Sequence, residues 1–359
     1  MASVIQVPDA LSLSGNLKSF ILSSSSEVAF ALKKGATVIL SETYYPDSNN
    51  RVEIQVKDVV SKYLETNLPA GNAFSQTGMF ADFTALADDA QIASFRAFNA
   101  GVRNLSTSAS QFLAANWLTW QPQTKRTTWN TPEYLTYYFT QAARVKAKFY
   151  LKSGTTKTVQ VSSGNGGAAL TFNMMCSYLF GLSGENTSDL YGIVDVWVET
   201  SGGSRLSYIQ RYICDEPQGD EHVYLCVNSL GGIDTYIFHG ACSLAPDIEH
   251  ESAENGEERI NITSGAERRW EQTTGYASMA ETSWIFELVA AEHQWAVMQG
   301  SAEAIVIDSS SLRVSDRNNL HSCSFAFKLV AGGRLLNITR SDSALPAVEV
   351  PSPSGEIFF

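Results

Sequence analysis

Val52, Ile54 and Val56 alternate with Glu53 and Gln55, and this two-residue period returns along most of the chain. Successive side chains of an extended strand point to opposite faces, so the pattern commits a segment to a sheet with one buried face. Val28-Ala-Phe30-Ala-Leu32 reads as a strand, and Ala36-Thr-Val38-Ile-Leu40 begins a second after a Lys-Lys-Gly turn. Ala147 to Leu151 and Lys157 to Val161 flank Ser153-Gly154 with hairpin spacing. Val194, Val196 and Val198 alternate with Asp195, Trp197 and Glu199, and Leu206 to Cys214 follows beyond a Ser-Gly-Gly-Ser turn. Strands at roughly eight-to-twelve-residue spacing, separated by Gly-rich turns, imply a mainly β fold of the β-sandwich or jelly-roll type with few short helices.

At 359 residues the chain exceeds one ordinary domain of roughly 150 residues, so two or three sandwiches in tandem are expected. The first covers residues 1–72, as a small Ig-like sandwich. There Asp58 is placed to cap a short helix from Val59 to Leu64, and Asn67-Leu-Pro-Ala-Gly71 closes the unit. The second, 73–245, is larger and rich in aromatics. From Asp247 to Glu258 the chain holds six carboxylates and no Lys or Arg, which reads as a solvated linker. The third unit, 246–359, is β-rich with one helix expected between Trp284 and Trp295. Strands are expected at Ala304–Ile307, Ser324–Val330 and Leu335–Ile338, with a loosely held tail from Asp342 carrying Pro346, Pro351 and Pro353.

Charge narrows the partners. There are 25 Lys and Arg against 37 Asp and Glu, a formal charge of −12, and nucleic-acid binding needs concentrated basic side chains. Only 17% of residues are charged, and protein interfaces are depleted in charge at their centres, so covered β faces are expected. No apolar run reaches membrane-spanning length. Met1 to Pro8 has neither the basic nor the apolar character of a signal peptide, which implies folding in the cytoplasm. The cysteines, at 176, 214, 226, 242 and 323, are odd in number, form no CxxC and mostly sit in apolar runs, so they are expected to pack as reduced, small hydrophobes.

Catalytic patterns fail on inspection. Gly181-Leu-Ser183-Gly184 has Glu185 where a nucleophile elbow needs glycine. Gly164-Asn-Gly166-Gly imitates a dinucleotide loop but lacks the alternating βαβ frame, and is expected to be a hairpin turn. The five histidines show no metal-ligand spacing, although His222 and His239 bracket a hairpin. No cofactor, no metal site and no catalytic residue is expected. Trp117, Trp120, Trp129, Tyr134 and Tyr137 are clustered in sequence and are candidates for a platform that stacks a glycan or seats a partner, against a competing role as core.

Val223-Tyr-Leu-Cys-Val-Asn228-Ser-Leu230-Gly231-Gly232-Ile-Asp234-Thr-Tyr236-Ile-Phe238 resembles a strand–turn–strand signature of uncharacterised structural proteins of Bacteroides-type phages and prophages. The matching positions are Asn228, Leu230, Gly231, Gly232, Asp234, Tyr236 and Phe238; Ile233 stands where the pattern often has Trp. Segments from Leu40 to Val60, and from Trp270 through Ile305 to Phe327, also resemble parts of such proteins. The resemblance implies a tail or baseplate component of a virion, assembled in the host cytoplasm, that binds copies of itself and neighbouring tail proteins. The residues themselves make Gly231-Gly232 a tight reversal with a positive-φ position, and place Asp234 to accept hydrogen bonds from turn N–H groups.

The expectation is therefore a non-enzymatic structural protein without membrane insertion. The alternative is a carbohydrate-binding or host-recognition adhesin contacting surface glycan through the aromatic platform, and a jelly-roll glycan-degrading enzyme ranks third.

Overall fold

Three groups of mostly antiparallel strands account for most of the described chain, and their pairings cross the boundaries expected at 72/73 and 245/246. The computed structural model describes residues 2–217, 219–255, 258–298, 300–312 and 321–331. The strand expected at Leu335–Ile338 and the tail from Asp342 lie outside them.

The N-terminal group contains β1 (Ser3–Gln6), β2 (Leu11–Leu13), β3 (Phe20–Ser23), β4 (Val28–Lys34), β5 (Thr37–Tyr44) and β6 (Arg51–Ile54), then α1 (Lys57–Ser61), β7 (Ala73–Ser75), β8 (Phe80–Ala87) and β9 (Ala90–Phe98). A three-stranded sheet, β1-β3-β6, packs on a five-stranded one, β2-β9-β8-β4-β5. The expected β4–β5 hairpin is present, with Gly35 supplying the positive φ its turn needs. The unit does not end at Gly71. β8 and β9 return to cover the open edge of β4, because Phe83, Ala85 and Phe95 need the same interior that holds Phe20, Phe30 and Leu32. Each large apolar side chain buried there contributes about 1.5–3 kcal/mol. The helix lies two to three residues earlier than expected, with Val56 rather than Asp58 at its cap.

The middle group contains α2 (Ala109–Ala115), β10 (Thr124–Thr128), β11 (Tyr134–Phe139), β12 (Ala143–Leu151), β13 (Thr156–Gly164), β14 (Ala168–Asn173), α3 (Cys176–Ser183), β15 (Leu190–Thr200) and β16 (Gln210–Asp215). Its sheets are β10-β16-β15-β12-β13 and β11-β14-β7, so β7 belongs here. The hairpin over Ser153-Gly154 forms as expected. The Gly164–Gly167 segment is not a hairpin turn but a crossing from the first sheet to the second. Phe139 packs so closely on Gly164 that a Cβ there would sit 2.5 Å from its ring.

The C-terminal group contains β17 (His222–Val227), β18 (Ile233–Phe238), β19 (Cys242–Leu244), β20 (Asp247–Asn255), β21 (Glu258–Glu267), β22 (Arg269–Thr273), α4 (Met279–Ala290), β23 (Gln294–Met298), β24 (Ser301–Ser310) and β25 (Ser324–Leu329). Seven strands form one sheet, β18-β17-β23-β24-β25-β22-β19, with α4 packed on it. The hairpin that carries Asn228, Gly231, Gly232 and Asp234, β17–β18, is thus the edge of the C-terminal sheet rather than part of the middle unit. The acidic stretch from Asp247 is not a linker: its backbone pairs with β21 as a separate antiparallel hairpin. Acidic composition misleads here because a ladder satisfies backbone groups whatever the side chains. The helix expected from Trp284 begins at Met279, where Ser278 and Glu281 form a reciprocal capping box.

Candidate functional site

The turn between β17 and β18 lies where the three groups meet, and its polar groups are bonded partly within the turn and partly to other elements. Asn228 organises the reversal. Its Oδ1 accepts from the Leu230 and Gly232 amides at 2.9 and 3.2 Å, while its Nδ2 donates to the Leu118 carbonyl at 3.1 Å. An asparagine side chain is short enough to hold its own turn in this way. The positive φ falls on Gly231, at +75°, and not on Gly232.

Both glycines are required by close approach, and Gly231 by its conformation as well. A Cβ on Gly231 would lie 1.8 Å from the Asn99 carbonyl, and one on Gly232 1.8 Å from the Leu118 carbonyl. The Gly231 carbonyl accepts from the Thr66 hydroxyl at 2.7 Å, and the Ser229 carbonyl accepts from the Gly101 amide at 2.7 Å. Leu230 fills an apolar pocket among Leu13, Met79, Phe98 and Leu118. One five-residue reversal therefore clamps the N-terminal group, the middle group and the C-terminal sheet together.

Asp234 serves the same junction. It does not accept from the turn amides, which Asn228 already occupies. Its carboxylate takes the indole N–H of Trp284 at 2.8 Å, the Trp120 amide at 3.3 Å and the Thr119 hydroxyl. Next to it, Lys125 on β10 donates to Glu133 at 2.6 Å and to the Thr235 carbonyl at 2.6 Å, with its ammonium 5.3 Å from the Trp284 ring centre. Tyr236 stacks on Trp284 with centroids 4.1 Å apart.

Lys125, Glu133 and Asp234 are all buried, and the two carboxyls outnumber the one ammonium. Burial raises the proton affinity of both Glu133 and Asp234, against the opposing pull of Lys125 on each. Glu133 Oε1 has no well-formed hydrogen bond among the described residues. The Thr127 hydroxyl beside it, likewise without a well-formed partner, is near enough to favour the charged form.

The aromatic candidates do not form a platform. Trp117 and Tyr137 are fully buried, packed edge-to-face with centroids 5.4 Å apart. Trp129 lies flat on Phe180 and is partly buried, as is Tyr134 on β11. Only Trp120 is largely open, 42% exposed, and its indole donates to the Ser229 hydroxyl at 2.7 Å. Both faces of β11 are covered, and packing in the middle core claims the rest.

A cleft of about 440 Å³ opens above the buried cluster, between β10 and β16 on one wall and β18 and α4 on the other. Thr127, Trp284 and Tyr276 line it, and Tyr276 is 82% exposed. Lys125, Glu133, Trp284 and Tyr276 carried no site signal in the sequence, because their juxtaposition joins segments more than a hundred residues apart; Trp284 was placed only at the start of an expected helix. His222 and His239, which bracket the hairpin, do not stand opposite each other: His222 faces Phe238, and His239 lies 3.4 Å from Asp220. Among the described residues no group of three or more His, Cys, Asp and Glu side chains is arranged to hold a metal ion, and no helix is long and apolar enough to cross a membrane. No protein-family model matches the chain, and neither does any protein of curated function.

Proposed function

We propose that the chain is a non-enzymatic structural protein, a virion component of tail or baseplate type that binds copies of itself and neighbouring subunits. The observation that carries this reading is a pair of strand edges on the N-terminal group that have no partner strand among the described residues. β1 and β5 are outer strands, and they expose Ile5 (62%), Val4 and Val38. Unpaired N–H and C=O groups beside apolar side chains accept a further strand, and proteins that must stay monomeric normally block such edges with charge or proline. The buried junction adds support: its ionisable groups are spent on holding sheets together, as a load-carrying subunit requires.

The test is self-association of the full chain by light scattering, beside Ile5→Lys and Val38→Lys variants. Concentration-dependent oligomers that the lysines weaken, with unchanged melting temperature, support assembly through these edges. A monomer at every concentration removes it.

Glycan recognition is the second reading, and the cleft favours it over the aromatic cluster of the middle unit. Tyr276 offers an open ring on the lining of this cleft, a surface suited to a sugar's apolar face. Quenching of tryptophan fluorescence by host-surface polysaccharide, lost in Tyr276→Ala, is the expected outcome; a glycan array without hits excludes it.

A further inference from the structure

We propose that the outer face of the middle group's five-stranded sheet binds an acidic glycan, with one tryptophan to stack a sugar ring and flanking basic side chains to take its carboxylates or sulfates. Alternation builds this face. Val194, Val196 and Val198 of β15 turn into the core, which turns Asp195, Trp197 and Glu199 to the other side. On β12, Val145, Ala147 and Phe149 are buried, so Arg144, Lys146 and Lys148 join them there. Strand register then sets three rows. Glu199 stands between Arg144 and Arg205, Lys146 faces Trp197, and Asp195 stands between Lys148 and Arg211. Directly opposed residues share a face of the sheet. The two outer rows lie about 13 Å apart along the strands, room for a short oligosaccharide across Trp197.

The two carboxylates hold this face still. Asp195 accepts from the Arg211 guanidinium at 2.6 and 2.7 Å and from the Tyr150 hydroxyl at 2.6 Å. Glu199 accepts from the Trp197 indole at 2.9 Å and lies 3.9 Å from the Lys146 ammonium. The Lys148 ammonium sits 5.1 Å from the Tyr150 ring centre. Side chains fixed in this way lose less freedom when a ligand binds. Among the described residues Arg144, Lys148 and Arg205 make no ion pair, and the two arginines are exposed.

Five bases against two carboxylates leave the three rows with three positive charges in excess, on a chain whose formal charge is −12. Charge complementarity selects an anion, and a guanidinium matches the paired oxygens of a carboxylate or sulfate. The remaining groups suit a sugar rather than a phosphate chain. Half-buried Trp197 offers a flat apolar ring, and exposed Thr158 and Gln160 stand beside Lys148 and Lys146 as hydrogen-bonding groups. Asp195 and Glu199 would repel the closely spaced phosphates of a nucleic acid. None of these side chains lines the cleft beside Tyr276 or lies on β1 or β5, so this face is separate from the cleft and from the strand edges.

The experiment titrates the full chain by calorimetry with two acidic glycans, oligogalacturonate for carboxylate and a heparin oligosaccharide for sulfate. Their neutral counterparts, methyl-esterified oligogalacturonate and desulfated, carboxyl-reduced heparin, are run beside them, with a single-stranded DNA of matched charge. One or both acidic glycans should bind at least about tenfold tighter than the neutral counterpart and the DNA, and which of them binds separates a carboxylate ligand from a sulfate one. Arg144→Ala/Arg205→Ala should weaken binding about tenfold or more with an unchanged melting temperature, while Tyr276→Ala leaves it intact. No binding of either acidic glycan, equal binding of the neutral counterpart, DNA bound as tightly, or a loss confined to Tyr276→Ala would overturn the proposal. The wild-type comparison decides even where a variant fails to fold.

Discussion

Asp234 on β18 accepts the indole hydrogen of Trp284 on α4 at 2.8 Å, and the same carboxylate reaches Thr119 and the Trp120 amide in the middle group. One side chain thereby joins a hairpin, a helix and a neighbouring unit. The turn residues Asn228, Gly231 and Gly232 sit at the same join, so their first consequence is mechanical: they fix how the groups are set against one another.

The glycine pair gives the most direct stability contrast. Gly232→Ala brings a Cβ to 1.8 Å from the Leu118 carbonyl, and is expected to cost about 3 kcal/mol or more. Gly203→Ala has the same backbone demand as Gly231, with φ at +86°, but opens on empty space; about 1 kcal/mol is expected. Urea titrations of the two variants check this, and equal losses would show that close approach at the junction is not what requires glycine.

Lys125 and Glu133 form an ion pair with side chains only 5% and 0% exposed. Removing one partner leaves a buried charge, so Lys125→Met should lose about 3–5 kcal/mol. The double variant Lys125→Met/Glu133→Leu should recover most of that loss. A single-variant cost below about 1 kcal/mol would mean that water reaches the site.

The buried carboxyls make the junction pH-dependent in a stated direction. Burial raises the native proton affinity of Asp234 above its ordinary value of 3.8, so the folded state holds the proton more tightly than the unfolded chain. That contribution is complete below the unfolded value and is lost as pH rises through the native one. The facing groups are Lys125 and Glu133 from the middle group, with Tyr236 and Cys226 from the same hairpin. Relative to Asp234→Asn, which lacks the linkage, the wild type should therefore lose stability as pH rises above about 4. A difference that grows with pH would show that Trp284, Thr119 and Lys125 hold the carboxylate ionised instead.

Tryptophans close in sequence should behave differently. Trp117→Ala empties a fully buried site and should cost about 3–5 kcal/mol. Trp120→Ala loses chiefly its bond to Ser229, for about 1 kcal/mol. Thermal melts distinguish them; similar losses would put Trp120 in the core.

Local pairings were legible in the sequence, while distant ones were not. The β4–β5, β12–β13 and β17–β18 hairpins were readable because alternation and a glycine turn lie in one short window. The pairing of β7 with β14, and of β17 with β23, left no local trace, since any exposed ladder accepts any strand of suitable pattern. The parallel pairs β2–β9 and β10–β16 were equally silent. For the site, Asn228, Gly231, Gly232 and Asp234 were found as a turn. Their burial between units depends on Leu118, Asn99 and Trp284, which no spacing connects to them.

Assembly is the central claim, and negative-stain imaging of the purified full chain at rising concentration tests it most directly. Regular rings, tubes or stacked particles, dispersed by Val38→Lys, are the predicted result. A uniform field of single particles at all concentrations would contradict it.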